Sequence, residues 1–178
     1  MRQGSLFTHS CVLRGRGRLL SIKPSSNTLF KQLGGLATLE QVHQRFYDKV
    51  YAHPWLGQFF AGHDQQAIEL RQTQFMAEKF GSETPYPGQP LELAHRRMFI
   101  SETLLQLRQQ LLRESLESEQ IPEPLIARWL KIDHAFWRQL SNGSIESFQE
   151  IDLKYEQPMV IPHPRHAGNY SAPIENIP

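Results

Sequence analysis

Length, composition and charge limit the classes of protein to which this chain can belong. It has 178 residues and a formal net charge of +1 at pH 7, which suits one compact domain with tails and enough chain to bury a core. The basic residues are unevenly placed, because residues 1–27 hold five of them and no acidic residue. The rest of the chain is mildly acidic, which argues against a nucleic-acid-binding domain.

Cysteine content and hydropathy bear on the compartment. Cys11 is the only cysteine in the chain, so neither an internal disulfide bond nor a cysteine metal site can form, and a reducing compartment fits best. The apolar patch of Leu19, Leu20 and Ile22 is far too short for a transmembrane helix or a signal peptide. We therefore expect a cytoplasmic protein with no membrane partner.

The two ends of the chain differ in composition from its middle. Residues 1–27 are rich in Arg, Ser and Gly, a composition that suits an organellar transit peptide, a disordered leader or translation from a start codon assigned too early. We favour the last two. Residues 144–178 are rich in proline and are expected to form a mobile tail. Residues 28–143 remain as the folded domain.

Helical periodicity begins at the start of the folded domain. A single apolar turn around Leu29 predicts a short helix that stops at Gly34-Gly35. Thr38 and Gln41 have the spacing of a capping box, and apolar residues then recur at steps of three and four. This pattern predicts a second helix that ends near Ala52.

A break and a third helix follow. Pro54 disfavours helix at the residue before it, and the aromatic segment 55–60 then forms a corner. Asp64 can cap the next helix, which Gly81 ends. The segment 82–89 contains two prolines and a glycine, so we expect a loop.

The second half of the domain is also helical by pattern. A brief helix is expected over residues 90–95 and carries His95. Ser101 caps another helix that continues to about Leu116, and a last helix is expected over 123–140. No strand pattern competes, so the expected fold class is all-α.

Short motifs follow one another along this helical domain, and singly each is weak. They are Leu33-Gly34-Gly35, Arg45-Phe46-Tyr47 with Val50, Pro54-x-Leu56, Phe59-Phe60-Ala61-Gly62, Gln72 with Phe75, Gly81, Tyr86-Pro87-Gly88-Gln89-Pro90-Leu91, and Ala94-His95 with Ile100. In this order and spacing, from about residue 29 to 140, they resemble the truncated haemoglobin family. The resemblance implies a short globin with a two-over-two helical sandwich.

The resemblance also implies a cofactor and the residues that hold it. Haem b would be bound with His95 as the proximal iron ligand, Phe60 against the haem face, and Tyr47 with Gln72 as the hydrogen-bonding pair on the distal side. Ile68 lies one turn before Gln72, where many globins place a distal histidine, so the sixth iron position should stay open. Each distal hydrogen bond to a bound gas with partial negative charge would contribute roughly 1.5 to 3 kcal/mol.

Further residues are expected around the haem. Arg71 is a candidate partner for a haem propionate, and Arg96 or Arg97 could serve from the proximal side. The other expected cofactor contacts are apolar: Phe75, Met76, Leu91, Met98, Ile100 and Phe136.

Some residues depart from the family pattern or admit plainer interpretations. Arg108 falls near a position where the family generally has an apolar or aromatic distal residue, although a shift of one residue would put Leu107 there. Without the resemblance, Tyr47 would be interpreted as a core tyrosine and His95 as a histidine at a helix end. Four other histidines lack a metal-binding spacing and are expected to be solvated or locally bonded: His43, His53, His63 and His134.

The function that follows from the resemblance is reversible binding of dioxygen, and also of nitric oxide, at pentacoordinate haem iron, as in oxygen transport. Nitric oxide dioxygenation would be added if a reductase partner exists. One alternative is a haem-based gas sensor acting through the tails, and another is a haem-free helical interaction module. The sequence sets neither the oligomeric state nor the choice between storage, sensing, detoxification and electron transfer.

Overall fold

The computed structural model describes residues 27–150 and 157–164, and the expectations for residues 1–26, 151–156 and 165–178 lie outside the described residues. The described helices are α1 (Leu29–Gln32), α2 (Leu36–Ala52), a 3₁₀ helix (Leu56–Phe60), α3 (Gln65–Lys79), α4 (Leu91–His95), α5 (Glu102–Ser118), α6 (Glu123–Ala135), α7 (Trp137–Leu140) and α8 (Ile145–Gln149). This part of the chain contains no strand, apart from an isolated bridge between Met98 and Met159. None of its helices combines the length and hydropathy that a membrane span requires.

The long helices form the two-over-two sandwich. α2 packs along α3, α5 packs along α6, and α2 also contacts α5, which joins the two pairs. The apolar stripe of α2, which includes Leu39, Val42, Phe46 and Val50, is buried. The all-α globin-like fold expected from the sequence is therefore confirmed.

The turn between α1 and α2 shows where the predicted helix start was wrong. Gly34 and Gly35 have φ values of 97° and 80°, a region that residues with a side chain rarely adopt. They turn the chain so sharply that α2 begins at Leu36, with Gly35 as its N-cap and no side-chain capping bond. The predicted capping box of Thr38 and Gln41 therefore does not form.

The helix predicted over 123–140 is interrupted. α6 ends at Ala135, Phe136 caps it, and α7 begins at Trp137. Phe136 and Trp137, at the break, both line the cavity described below.

Parts of the C-terminal segment pack on the domain, which differs from the mobile tail expected from residue 144 onward. Phe148 of α8 is 1% exposed and its ring centroid lies 5.7 Å from that of Phe99. Residues 157–164, which we call the strap, lie alongside the loop after α4. In the strap, Met159 accepts a hydrogen bond from Phe99 N at 2.8 Å and donates one to Arg97 O at 2.6 Å. Burial of Phe148 and these backbone bonds hold both pieces in place.

His43 is a polar residue inside the core. Its Nδ1 lies 2.8 Å from Thr73 Oγ1, and its Nε2 has no hydrogen-bond partner among the described residues. Burial, reinforced by the positive charge of Arg108, lowers the pKa of His43 from 6.5 to about 3. The folded protein therefore keeps this imidazole neutral over the whole range between those two values.

This burial predicts a loss of stability in mild acid. Below pH 6.5 the unfolded chain protonates His43 and the folded chain does not, so the free energy of unfolding falls as pH falls towards about 3. From pH 7 to pH 5 the contribution of one such histidine is about 2 kcal/mol. Replacing His43 with Leu should reduce the stability lost over that interval by this amount, measured by urea unfolding followed by circular dichroism.

The matched control is His134→Gln, because His134 is exposed. This variant should lose as much stability between pH 7 and pH 5 as the parent. If His43→Leu also matches the parent, the folded protein protonates His43 and the burial argument fails.

Candidate functional site

A largely apolar cavity of about 290 Å³ lies within the helical sandwich. Side chains from α2, α3, α4, α5 and α7, from the 3₁₀ helix and from the C-terminal ends of α6 line it. All twelve cofactor-binding residues predicted from the sequence are among them. They are Tyr47, Phe60, Ile68, Arg71, Gln72, Phe75, Met76, Leu91, His95, Met98, Ile100 and Phe136. The structure thus brings the set together, and the contact of each with a cofactor stays a prediction.

His95 is the last residue of α4 and forms part of the cavity wall. Its Nδ1 lies 2.8 Å from the carbonyl oxygen of Leu91, one helical turn earlier. A carbonyl oxygen can only accept, so Nδ1 carries the proton and Nε2 keeps its lone pair. Burial lowers the pKa of His95, which favours the neutral imidazole. This is the form that can ligate a metal through Nε2.

Tyr47 and Gln72 supply polar groups to the same cavity. Tyr47 is 5% exposed, and burial raises its pKa to about 12, so the hydroxyl remains a proton donor at neutral pH. Its ring lies edge-on to Phe46 and Phe60, with centroids 4.9 Å and 5.7 Å away. Neither the Tyr47 hydroxyl nor the Gln72 amide takes part in a hydrogen bond within the described residues.

Sequence reasoning missed the ion pair in this cavity. Arg108 Nη1 donates to Asp133 Oδ1 at 2.7 Å, and both residues line the cavity. The sequence left open whether Arg108 or Leu107 occupies this position. Arg108 lines the cavity, whereas Leu107 is buried and does not line the cavity. Asp133 lies four residues after Trp129 on a helix face that is otherwise apolar. A carboxylate on an apolar face needs a buried partner, and this was the signal of the ion pair available in the sequence.

Further aromatic residues complete the wall, among them Tyr86 and Trp137, which sequence reasoning did not assign to the site. Tyr86 and Phe136 lie edge-on to Phe75, with ring centroids 5.4 Å and 5.2 Å away. Trp137 lines the cavity, and its buried Nε1 has no hydrogen-bond partner among the described residues. Arg71 lines the cavity as well, with an exposed side chain that forms no ion pair in the described part of the chain.

These features fit haem. The cavity is mainly apolar, it presents the half-buried imidazole of His95 with an available Nε2, and it contains Trp137 Nε1, which has no hydrogen-bond partner among the described residues. Residues 27–150 and 157–164 contain no group of three His, Cys, Asp or Glu side chains that could hold a metal ion directly. A metal carried in a macrocycle needs one axial ligand from the protein instead, which His95 can supply.

Comparison with known proteins supports the same assignment. The family model of bacterial-like globins matches residues 28–141, well over half of the chain. A group 1 truncated hemoglobin from Mycolicibacterium paratuberculosis is 32% identical over 79 residues, which cover 44% of this chain and 57% of that protein. One from Chlamydomonas moewusii is 32% identical over 69 residues, 39% of this chain and 40% of that protein. The matched stretches thus span about half the length of these relatives.

Solved structures share the fold. Truncated hemoglobin from Tetrahymena pyriformis has a TM-score of 0.62 and 21% identity, covering 66% of this chain and 100% of its own. The 2/2 hemoglobin from Synechococcus, solved with covalently attached heme, has a TM-score of 0.60 and 23% identity, covering 64% of this chain and 95% of its own. The chain belongs to the family of bacterial-like globins, with a truncated two-over-two fold and haem b as its cofactor.

Proposed function

We propose that this globin binds dioxygen and nitric oxide reversibly at pentacoordinate haem iron held by His95. The observation that carries the proposal is the hydrogen bond from His95 Nδ1 to the Leu91 carbonyl at 2.8 Å. It leaves Nε2 as the nitrogen that can ligate iron, and it holds the imidazole ring in one orientation. Haem supplies the iron, and the protein supplies one neutral nitrogen ligand within an apolar cavity.

Tyr47 and Gln72 act as the hydrogen-bond donors to the gas. Both line the cavity, and neither donor group has a partner within the described residues. A phenol O–H and an amide N–H aimed at a ligand with partial negative charge slow its release. Each bond contributes roughly 1.5 to 3 kcal/mol, which is about a tenfold to hundredfold change in the rate of release.

The remaining predicted residues shape the site. Ile68 lines the cavity and offers no side-chain base, so it would not compete with gas for the iron. Phe60 would pack against the haem, and the exposed guanidinium of Arg71 would pair with a propionate. With a reductase partner that supplies electrons in the cytoplasm, the same site would carry out nitric oxide dioxygenation. Without one, it would store or transport oxygen.

Replacing His95 with Gly tests the iron ligand. Removal of the imidazole should abolish stable retention of haem, because the remaining wall offers contacts but no coordinate bond. The measurement is the haem absorbance of the reconstituted full-length protein after gel filtration. The control is His63→Gln, an exposed histidine that also lines the cavity. Loss of haem in the control but not in His95→Gly would assign the ligand to His63.

Replacing Tyr47 with Phe tests the distal donor. The variant should release dioxygen about tenfold to hundredfold faster, because it keeps the ring and lacks the hydroxyl. Stopped-flow displacement of dioxygen by carbon monoxide measures this rate. Tyr51→Phe is the control, since its hydroxyl donates to the His63 carbonyl at 3.1 Å and does not line the cavity. Unchanged release in Tyr47→Phe would remove this hydroxyl from the site.

A second candidate function is gas sensing, and the strap is the observation that favours it. Met159 bonds to Arg97 and Phe99, two and four residues after His95. Ile161 O accepts a hydrogen bond from Trp55 Nε1 at 3.0 Å. Trp55 immediately precedes the 3₁₀ helix that carries Phe60. The strap therefore contacts segments next to both the proposed iron ligand and the haem face, so a gas-dependent shift of either could reach it.

Shortened chains distinguish a sensor from a simple binder. A chain that ends after Glu150 keeps Phe148 and removes the strap, whereas a chain that ends after Pro164 keeps the strap. If the strap is coupled to the haem, only the first should change its dioxygen affinity, by at least about fivefold. Equilibrium oxygen titration measures this. Equal affinities in both chains and the parent would reject the sensor.

A further inference from the structure

Arg108 places a full positive charge inside a mainly apolar ligand cavity. Its side chain is 23% exposed, its ion-pair partner Asp133 is 5% exposed, and the two atoms of the bond lie 2.7 Å apart. The guanidinium carbon also lies 5.2 Å from the centroid of the Phe46 ring. Phe46 precedes Tyr47, so the cation lies on the side of the cavity that α2 forms.

Stability does not account for this ion pair. Removing two charges from water costs several kcal/mol for each ion, and a well-packed apolar pair of the same volume serves a fold equally well or better. The position of this ion pair in the cavity wall therefore points to an effect on what the cavity binds.

The guanidinium has donors to spare. It carries five N–H bonds, and within the described residues the only acceptor bound to it is Asp133 Oδ1. The other carboxylate oxygen of Asp133 lies 3.4 Å from Gln109 Nε2, so Asp133 is shared between two donors. Four N–H bonds of Arg108 thus remain for a ligand or for solvent.

The charge of Arg108 affects the pKa of both Tyr47 and His95, which lie on different walls of the cavity. Burial raises the pKa of Tyr47, the positive charge of Arg108 opposes that rise, and the charges of Tyr51, Asp133 and Glu69 each add to the rise by a smaller amount than Arg108 removes. Burial lowers the pKa of His95, and the same charge lowers it further. An anion held between Tyr47 and His95 would lie in the same field.

We propose that Arg108 makes this cavity selective for small anionic ligands, with Asp133 as the residue that positions the guanidinium. The proposal rests on the proposed function, because the anion is held at iron ligated by His95. When a neutral gas is bound, Asp133 balances the charge of Arg108. When an anion such as azide is bound, the free N–H bonds donate to it and the field favours it.

The test compares one anionic and one neutral ligand on the ferric, haem-loaded, full-length protein. Dissociation constants of azide and of imidazole are measured at pH 7 by titration of the haem absorbance, and the constant for imidazole is expressed for its neutral form. The main variant is Arg108→Met with Asp133→Asn, which removes both charges and leaves no uncompensated buried carboxylate. It should bind azide about ten- to a hundredfold more weakly and imidazole as the parent does. Arg108→Lys keeps the charge and should keep the preference for azide.

The matched control is Arg113→Met, on the same helix. Arg113 pairs with Glu117 and Glu123 at the surface and does not line the cavity, so both dissociation constants should match those of the parent. An unchanged azide constant in the double variant overturns the proposal. Equal weakening of azide and imidazole also overturns it, since Arg108 would then only shape the cavity. Failure of the proposed function appears earlier, as a parent protein that holds no haem.

Discussion

The hydrogen bond between His95 Nδ1 and the carbonyl oxygen of Leu91 is the interaction on which the candidate site depends. It settles the tautomer of a half-buried imidazole through a group of its own short helix, so no second side chain is needed to orient it. Burial lowers the pKa of His95 while this bond raises it, and the neutral form that burial favours is the form that could donate a lone pair to iron. In the proposed function the other residues of the cavity would act around that one nitrogen, by excluding water, by packing on the cofactor or by donating hydrogen bonds to its ligand.

The helices of the domain were predictable because their signals are local. Asp64 and Ser101 each cap a helix through the side chain, as their positions in the sequence indicate. The wall residues were predictable for a different reason. They recur at helical spacing, and the resemblance to truncated haemoglobins fixed which face looks inward. That face is also why Tyr47 and Gln72, which could each be ordinary core residues by type, reach the same cavity.

What the sequence did not reveal depends on contacts between distant segments. The ion pair of Arg108 and Asp133 joins two helices across 25 positions, and no pattern within either helix pairs them. The break at Phe136 has no proline or glycine to announce it. The packing of Phe148 and of the strap likewise follows from surfaces that exist only after the globin domain has folded, so composition suggested a mobile tail instead.

α4 differs from the other walls of the cavity in one respect with consequences for how the protein is loaded. It is five residues long and buries none of them. An element with so few apolar contacts separates from the domain at a smaller free-energy cost than the core helices do. The side of the cavity that carries His95 is thus the side expected to separate most readily, which would let a wide, flat macrocycle enter, and a coordinate bond from His95 would then hold α4 against the domain.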